Sequence, residues 1–288
     1  MEDITQLRAT HEIRLHTAVG RRALVYLRDH SQARSEVALA RFDLEVLQGE
    51  IEDAAGNYAA AHAHYTAALA LAGPDADHHK LAKLHEVLGI LEARHAHLSA
   101  AVEHLEAAGR HYAATGNLVC SVGVTNTNLS YAYLLVRRYA EAAPPAQTAL
   151  AFFSELNHPY WLALNEANLA EAYFYLGALD QAEGYAQQGL RREEAAARPY
   201  CLYVMGLIRR AQGRFREAER FGEEAIAAGE ELQDPWALGP AWRALGESYH
   251  AAGREEDAQR ALAEALRIYR QLGVESEVAL IERLAASW

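Results

Sequence analysis

A small residue recurs about every 40 positions along most of this chain, and the same pattern follows each recurrence. We call these positions the anchors, and they are Gly49, Gly89, Ser130, Ala170, Gly206 and Gly246. Alanine lies twelve residues after every anchor, and alanine or glycine lies nineteen residues after it. A pattern repeated at this period over 288 residues indicates one elongated array of similar units.

Each unit reads as two helices joined by a tight turn seven residues after the anchor. The turn positions are Gly56, Ala96, Arg137, Gly177, Gly213 and Gly253. Glycine there supplies the left-handed residue that ends many helices, so Ala96 and Arg137 leave the geometry of their turns open. Small residues let antiparallel helices approach closely. Because such a pair buries its apolar stripe only against its neighbours, the units must stack. The sequence therefore predicts an all-α solenoid.

The sixth unit carries the fullest form of the pattern. It reads Trp242-x2-Leu245-Gly246-x2-Tyr249, followed by Gly253, Ala258 and Ala265-Leu266. These residues resemble the tetratricopeptide repeat, and the resemblance covers about residues 35–288. The usual unit of that family has about 34 residues, whereas the unit here is longer. The longer unit is similar to the repeats of bacterial maltose-regulon-activator-type regulators and of peptide-pheromone receptors.

The resemblance implies a right-handed superhelical solenoid of antiparallel helix pairs, with the first helix of each pair on the concave surface. We expect Trp242, Leu245 and Tyr249 to form repeat core. We further expect residues 34–274 to form about six repeats in one continuous domain. Residues 1–33 are predicted to be N-terminal capping helices or a degenerate repeat, and residues 275–288 a C-terminal capping helix, because solenoid ends expose apolar faces.

Composition excludes several classes of function. A formal net charge of −12 argues against direct binding of nucleic acid, which requires clustered Lys and Arg. No apolar run is long enough to span a membrane, and no signal sequence is visible, so we expect a cytoplasmic protein. Two cysteines, Cys120 and Cys201, form no metal-binding or disulfide pattern. No catalytic motif is present, so we predict neither enzymatic activity nor a cofactor.

Histidines concentrate in the second unit, where His97, His104 and His111 are seven residues apart, as are His78 and His85. Seven residues of helix separate side chains by about 10 Å, which is too far for one metal ion without ligands from another element. We therefore predict no metal site and interpret this face as solvated. A pH-sensitive patch is the alternative.

Helical geometry places particular offsets from each anchor on the concave face. From these offsets we predict a set of residues that bind a partner. They are Thr127, Asn128, Tyr131, Leu134, Asn168, Glu171, Phe174, Tyr175, Tyr200, Tyr203, Leu207, Arg210, Arg243 and Glu247.

The roles expected of these residues follow from their chemistry. The aromatic side chains would bury apolar groups of a ligand, and Arg210 and Arg243 would meet a carboxylate. Asn128 and Asn168 occupy the same offset in adjacent units, and the resemblance implies that such asparagines hold a peptide backbone. The alternatives are that the aromatic residues pack as core and that the asparagines join neighbouring repeats.

Three functional hypotheses remain. The first is a non-catalytic scaffold that binds a protein or peptide partner in its concave groove. The second is an effector-sensing regulatory module of a bacterial transcription or signalling system, although no DNA-binding segment is visible in this sequence. The third is a scaffold that self-associates, for example as a homodimer, through the terminal helix around Ile281 and Leu284.

Overall fold

The computed structural model describes residues 34–73 and 76–288, and within them it contains helices and turns but no strand. The predicted N-terminal capping segment, residues 1–33, lies outside the described residues. Thirteen α-helices occur in the described part of the chain. They are α1 Arg34–Ala54, α2 Tyr58–Leu71, α3 His78–Arg94, α4 Leu98–Ala114, α5 Thr125–Leu135, α6 Tyr139–Glu155, α7 Pro159–Tyr175, α8 Leu179–Arg191, α9 Arg198–Ala211, α10 Phe215–Leu232, α11 Pro235–Ala251, α12 Glu255–Gln271 and α13 Glu275–Ser287.

Consecutive helices pack as pairs, from α1 with α2 through to α11 with α12, and each pair packs on the next. The prediction of an all-α solenoid is confirmed. The terminal helix α13 lies against α12, with Ile281 fully buried and Val278 7% exposed. Its apolar face therefore covers the end of the chain's own core.

The spacing of small residues is explained by close helix packing. A Cβ atom added to Gly89 would lie 2.6 Å from Cγ of Leu105, and one added to Gly246 would lie 3.0 Å from Cδ2 of Leu262. Both leucines belong to the second helix of the same pair. The anchors Ser130 and Ala170 are completely buried. A larger residue at an anchor would therefore push the paired helices apart.

All the predicted turns share one backbone conformation, including those without glycine. Ala96 has φ of 63° and Arg137 has φ of 62°, close to the 75° of Gly56 and Gly253. Ala96 and Arg137, whose turn geometry the sequence did not predict, therefore adopt the same left-handed conformation as the glycines. This conformation costs free energy for a residue with a side chain. The third pair differs in another way, because α5 is preceded by a π-helical turn at Val119–Val124.

The signature residues of the sixth repeat form core, as predicted. Leu245 is 2% exposed, and Trp242 and Tyr249 pack against the same buried cluster. Among the described residues, no helix combines the length and apolar character needed to cross a lipid bilayer.

The array curves until its two described ends touch. Gly56, in the turn between α1 and α2, lies against the backbone carbonyl of Gln271 at the end of α12. A Cβ atom on Gly273 would in turn lie 3.0 Å from the carbonyl oxygen of Gly56. These backbone contacts leave no room for side chains, and they bring the first repeat beside the C-terminal helices.

Candidate ligand cavity

The curved array surrounds a cavity of about 300 Å³, which we call the central cavity. Its walls come from the second to the sixth helix pair and from α13. The lining residues are Arg94, Thr127, Asn128, Tyr131, Leu134, Leu135, Arg137, Tyr139, Tyr160, Trp161, Leu164, Ala167, Asn168, Glu171, Tyr175, Tyr200, Tyr203, Trp236, Pro240, Arg243, Tyr269, Val274, Ser276 and Glu277. The volume lies at the lower end of the range for small-ligand pockets.

Ten of the fourteen predicted site residues line this cavity. They are Thr127, Asn128, Tyr131, Leu134, Asn168, Glu171, Tyr175, Tyr200, Tyr203 and Arg243. The other four lie elsewhere. Phe174 and Leu207 pack in the hydrophobic core, and Leu207 is only 2% exposed. Arg210 and Glu247 form an ion pair with each other.

Several lining residues were missed because they do not lie on first helices. Arg137 is a turn residue, Tyr139 begins α6, Tyr269 lies near the end of α12, and Glu277 belongs to α13. One sequence signal was available for Arg137, because an arginine there replaces the usual turn glycine. Tyr269 and Glu277 carried no such signal, since their place depends on the curvature of the whole array.

Tyrosines form most of the aromatic wall. The rings of Tyr139 and Tyr175 stack with centroids 4.3 Å apart, and the hydroxyl oxygens of Tyr175 and Tyr203 are 3.1 Å apart. Tyr200 donates to Oδ2 of Asp234 across 2.7 Å. Burial raises the pKa of Tyr131 to about 12, and the pKa of Tyr200 is raised for the same reason. The hydroxyls therefore stay neutral at physiological pH and can donate hydrogen bonds.

Charged groups hold the C-terminal wall together. Nη2 of Arg137 lies 2.5 Å from Oε1 of Glu277, and Nε of Arg243 lies 3.6 Å from Oε2 of the same carboxylate. Nη1 of Arg243 also lies 3.3 Å from Oε1 of Glu247. The turn after α5, helix α11 and helix α13 are thus joined by one network.

A second contact joins the two ends of the array. The guanidinium of Arg94, at the end of α3, lies 4.0 Å from the ring centroid of Trp236, at the start of α11. Nη1 of Arg94 also lies 3.4 Å from Oδ2 of Asp53 in α1. A cation over an indole face is a favourable arrangement, so Arg94 links the first two repeats to the sixth.

Glu171 is the titratable group in this cavity whose charge is sensitive near neutral pH. Burial raises its pKa to about 7, although Arg243 and Arg137 oppose the shift. The nearby hydroxyl of Tyr203 also acts against the shift. Near neutral pH, the side chain is therefore divided between its protonated and ionised forms.

The two predicted clamp asparagines already have protein partners. Nδ2 of Asn128 donates to Oε1 of Glu86 across 2.8 Å, and Nδ2 of Asn168 lies 3.5 Å from the backbone oxygen of Thr127. The second contact is at the limit of a hydrogen bond. Asn165 is completely buried and donates to Oγ1 of Thr127, so it joins neighbouring repeats.

The histidines of the second pair face one another across α3 and α4. Nδ1 of His85 lies 2.9 Å from Nδ1 of His104, and Nδ1 of His78 lies 2.8 Å from Nδ1 of His111. Burial lowers the pKa of His85 to about 4 and also lowers that of His104. In the part of the chain that the structure describes, no group of three or more His, Cys, Asp or Glu side chains is arranged to hold a metal ion.

Comparison with known proteins identifies the repeat and the fold. Residues 198–271 match the family model described as tetratricopeptide repeat. A sequence search of curated proteins finds no match.

Several solved structures share the fold. A Rap protein complexed with competence and sporulation factor has a TM-score of 0.61 and 16% identity, covering 100% of this chain and 87% of that one. Aspartyl phosphate phosphatase F from Bacillus subtilis has a TM-score of 0.64 and 13% identity, covering 85% and 75%. The apo quorum sensor NprR from B. thuringiensis has a TM-score of 0.58 and 12% identity, covering 97% and 83%. At these identities the likeness shows a common fold. Residues 198–271 thus match the tetratricopeptide repeat, and the described residues share the helical solenoid fold of these structures.

Proposed function

We propose that this protein binds a short peptide, either free or part of a partner protein, in the central cavity, and that it does so without catalysis. The observation that carries the proposal is the cavity itself, which combines aromatic walls with a few convergent polar groups. That combination is typical of ligand sites. In a purely structural solenoid, the curvature would not need to enclose such a space.

The lining residues have chemistry suited to a peptide. Tyr131, Tyr175 and Tyr200 would contact apolar side chains, since tyrosine offers a large ring with a polar edge. The amide oxygens of Asn128 and Asn168 would accept from backbone N–H groups, with their Nδ2 atoms kept in place by the protein. Arg243 would bind a carboxylate.

The proteins of similar fold support the same proposal. The Rap structure is described as a complex with competence and sporulation factor, and NprR is described as a quorum sensor. Those descriptions favour a regulatory role in which this chain senses a short effector. A cavity of about 300 Å³ also suits a short ligand better than the surface of a folded partner. By contrast, the burial of Ile281 leaves the self-associating scaffold without support, because that side chain packs within its own chain.

Selection from a library of random hexapeptides tests this function. The wild type should enrich a limited set of sequences. Asn168→Trp, which fills the cavity, should abolish that enrichment. Leu176→Trp introduces the same side chain at an exposed position outside the cavity and should preserve the enrichment. Equal enrichment by both variants would count against the cavity as the site.

The non-catalytic part of the proposal needs its own test, because one protein of similar fold is named a phosphatase. We expect purified protein to leave acetyl phosphate and a phosphorylated receiver domain unchanged. Hydrolysis at a rate that falls in the Asn168→Trp variant would contradict this part.

A further inference from the structure

We propose that the ligand of the central cavity is acidic, and that it binds between Arg94 and Arg243 so that it connects the two ends of the solenoid. This inference rests on the proposed function and specifies the chemical class of the ligand. It also assigns a binding role to Arg94, which is not among the binding residues predicted from the sequence.

Two unpartnered donors carry the inference. Nε of Arg94 and Nε of Arg243 are buried and have no hydrogen-bond partner. Both arginines line the central cavity. Oε2 of Glu277 lies 3.6 Å from Nε of Arg243, which is too long for a hydrogen bond. Because buried polar groups are nearly always paired in folded proteins, an acceptor supplied by a ligand would complete both.

The spacing of these donors sets the size of the ligand. Arg94 stacks on Trp236 at the start of α11, and Arg243 lies seven residues further along the same helix. Seven residues of α-helix rise about 10 Å. An extended peptide covers about 3.3–3.6 Å per residue. Two acidic groups of a peptide, one bound to Arg94 and the other to Arg243, would therefore be separated by about three residues. A tripeptide with one acidic side chain and a free C-terminal carboxylate meets this spacing.

Charge favours an acidic ligand over a basic one. The chain as a whole has a formal net charge of −12, yet the cavity is lined by three arginines and two glutamates. One of these glutamates, Glu171, is partly protonated near neutral pH because burial raises its pKa to about 7. Tyrosine hydroxyls add further donors to the walls. An ammonium or guanidinium group would meet Arg94 at one end of the cavity and Arg243 at the other, although both arginines also contact protein carboxylates.

A ligand held at both arginines would connect parts of the chain that are distant in sequence. Arg94 belongs to the second repeat and contacts Asp53 of the first, whereas Arg243 belongs to the sixth repeat and contacts Glu277 of α13. Binding would therefore stabilise the closed array in which Gly56 touches Gly273. By linkage, any change that separates the ends should weaken binding.

Calorimetric titration with defined tripeptides tests the ligand class. The first probe is acetyl-Asp-Leu-Leu with a free C-terminus, and the comparison set replaces Asp by Asn or Lys and the C-terminal acid by the amide. Loss of either carboxylate should weaken binding by about tenfold or more, as expected for charge-assisted hydrogen bonds. The Lys amide peptide should not bind.

Variants locate each carboxylate. Arg94→Gln and Arg243→Gln should each weaken binding of the diacid, while Arg260→Gln, at an exposed position on α12, should not. If each arginine binds one carboxylate of the peptide, replacing that arginine should not weaken binding of the peptide that lacks the same carboxylate. Arg94→Lys retains a cation over Trp236 but lacks Nε, so weaker binding by this variant with an unchanged melting temperature separates ligand contact from stability.

Hydrogen exchange tests the connection between the ends. The diacid should protect amides in both residues 52–57 and residues 271–277. Protection of only one segment, or equal binding of acidic, neutral and basic tripeptides, would overturn this inference and leave peptide binding itself standing. Failure of every tripeptide, together with failure of the hexapeptide library, would overturn both.

Discussion

Arg137 in the turn after α5 donates a charge-assisted hydrogen bond to Glu277 in α13, across 2.5 Å and 140 positions of sequence. The same carboxylate lies beside Arg243 of the sixth repeat. A contact of this range cannot form in an open, extended solenoid. It forms because the array curves until its ends meet, and that curvature creates the central cavity.

Loss of this carboxylate should loosen the C-terminal wall. We expect Glu277→Gln to lower the free energy of unfolding by about 1 kcal/mol, since Arg137 is half exposed and Glu277 is largely buried. Urea denaturation measures the change. Glu282→Gln is the matched control, because its pair with Arg270 is exposed at both ends, and we expect almost no loss there. Equal losses in the two variants would contradict a special role for Glu277.

Two turn glycines provide a direct comparison for the contact between the ends. Gly56 and Gly253 both have φ of 75°, but Gly56 lies against the Gln271 carbonyl, whereas a Cβ atom on Gly253 would meet nothing within 4 Å. Each change to alanine should cost about 1 kcal/mol for the left-handed conformation. Only Gly56→Ala should cost more and also increase the radius of gyration in small-angle X-ray scattering. The same radius for both variants would argue against the contact.

The turn of the second repeat can be improved. Ala96 has φ of 63° and is exposed, so Ala96→Gly should raise the free energy of unfolding by up to about 1 kcal/mol. The same change at Ala63, an exposed position within α2, should lower stability by about 1 kcal/mol because glycine is a poor helix former. Thermal or urea denaturation of the two variants should therefore give shifts of opposite sign. Destabilisation by Ala96→Gly would show that the turn is not under strain.

The facing histidines should make stability depend on pH. Burial lowers the pKa of His85 to about 4 and lowers the pKa of His104, so the unfolded chain binds protons more readily than the folded one. Stability should therefore fall as the pH drops below about 6.5, and the loss should continue towards pH 4. His104→Gln should reduce this loss in urea denaturation at pH 7.0, 5.5 and 4.5. His158→Gln, an exposed position, should behave as wild type.

Protonation of Glu171 should couple ligand binding to pH. Burial raises the pKa of this carboxyl to about 7, and an acidic ligand would favour the protonated form. The affinity for the diacid tripeptide should therefore increase as the pH falls from 8 to 6. Glu171→Gln should bind as the protonated wild type does, with little change across this range. An affinity of the wild type that falls with decreasing pH would contradict the argument.

The sequence predicts the fold well because its repeated small residues are themselves the packing constraint. Gly89 and Gly246 are small because Leu105 and Leu262 lie against them. That requirement is local to one helix pair, so it can be read from spacing alone. The left-handed conformation of Ala96 and Arg137 was less predictable. Other repeats have glycine at the equivalent turn position, and only glycine adopts this conformation without strain.

The cavity was predicted only where first helices form its wall. Tyr131, Asn168 and Tyr175 follow from helical offsets within a repeat. Arg94 has the same offset from Gly89 as Tyr175 has from Ala170, but the predicted set was drawn only from the third to sixth repeats. Glu277 does not follow from the offsets, because its position depends on small rotations that accumulate over several repeats. Arg210 was predicted wrongly in the other direction. Its offset is one that the sequence places on the concave face, but its side chain pairs with Glu247 and does not line the cavity.

Photocrosslinking is the most direct test of a peptide site in the central cavity. Benzoylphenylalanine would replace Tyr131 in one variant and the exposed Leu176 in another, and each would be irradiated with a peptide enriched from the hexapeptide library. We predict an adduct at position 131, detected by mass spectrometry and suppressed by excess unlabelled peptide, and none at position 176. If a peptide binds the variant with benzoylphenylalanine at position 131 but forms no adduct there, the central cavity is not the peptide site.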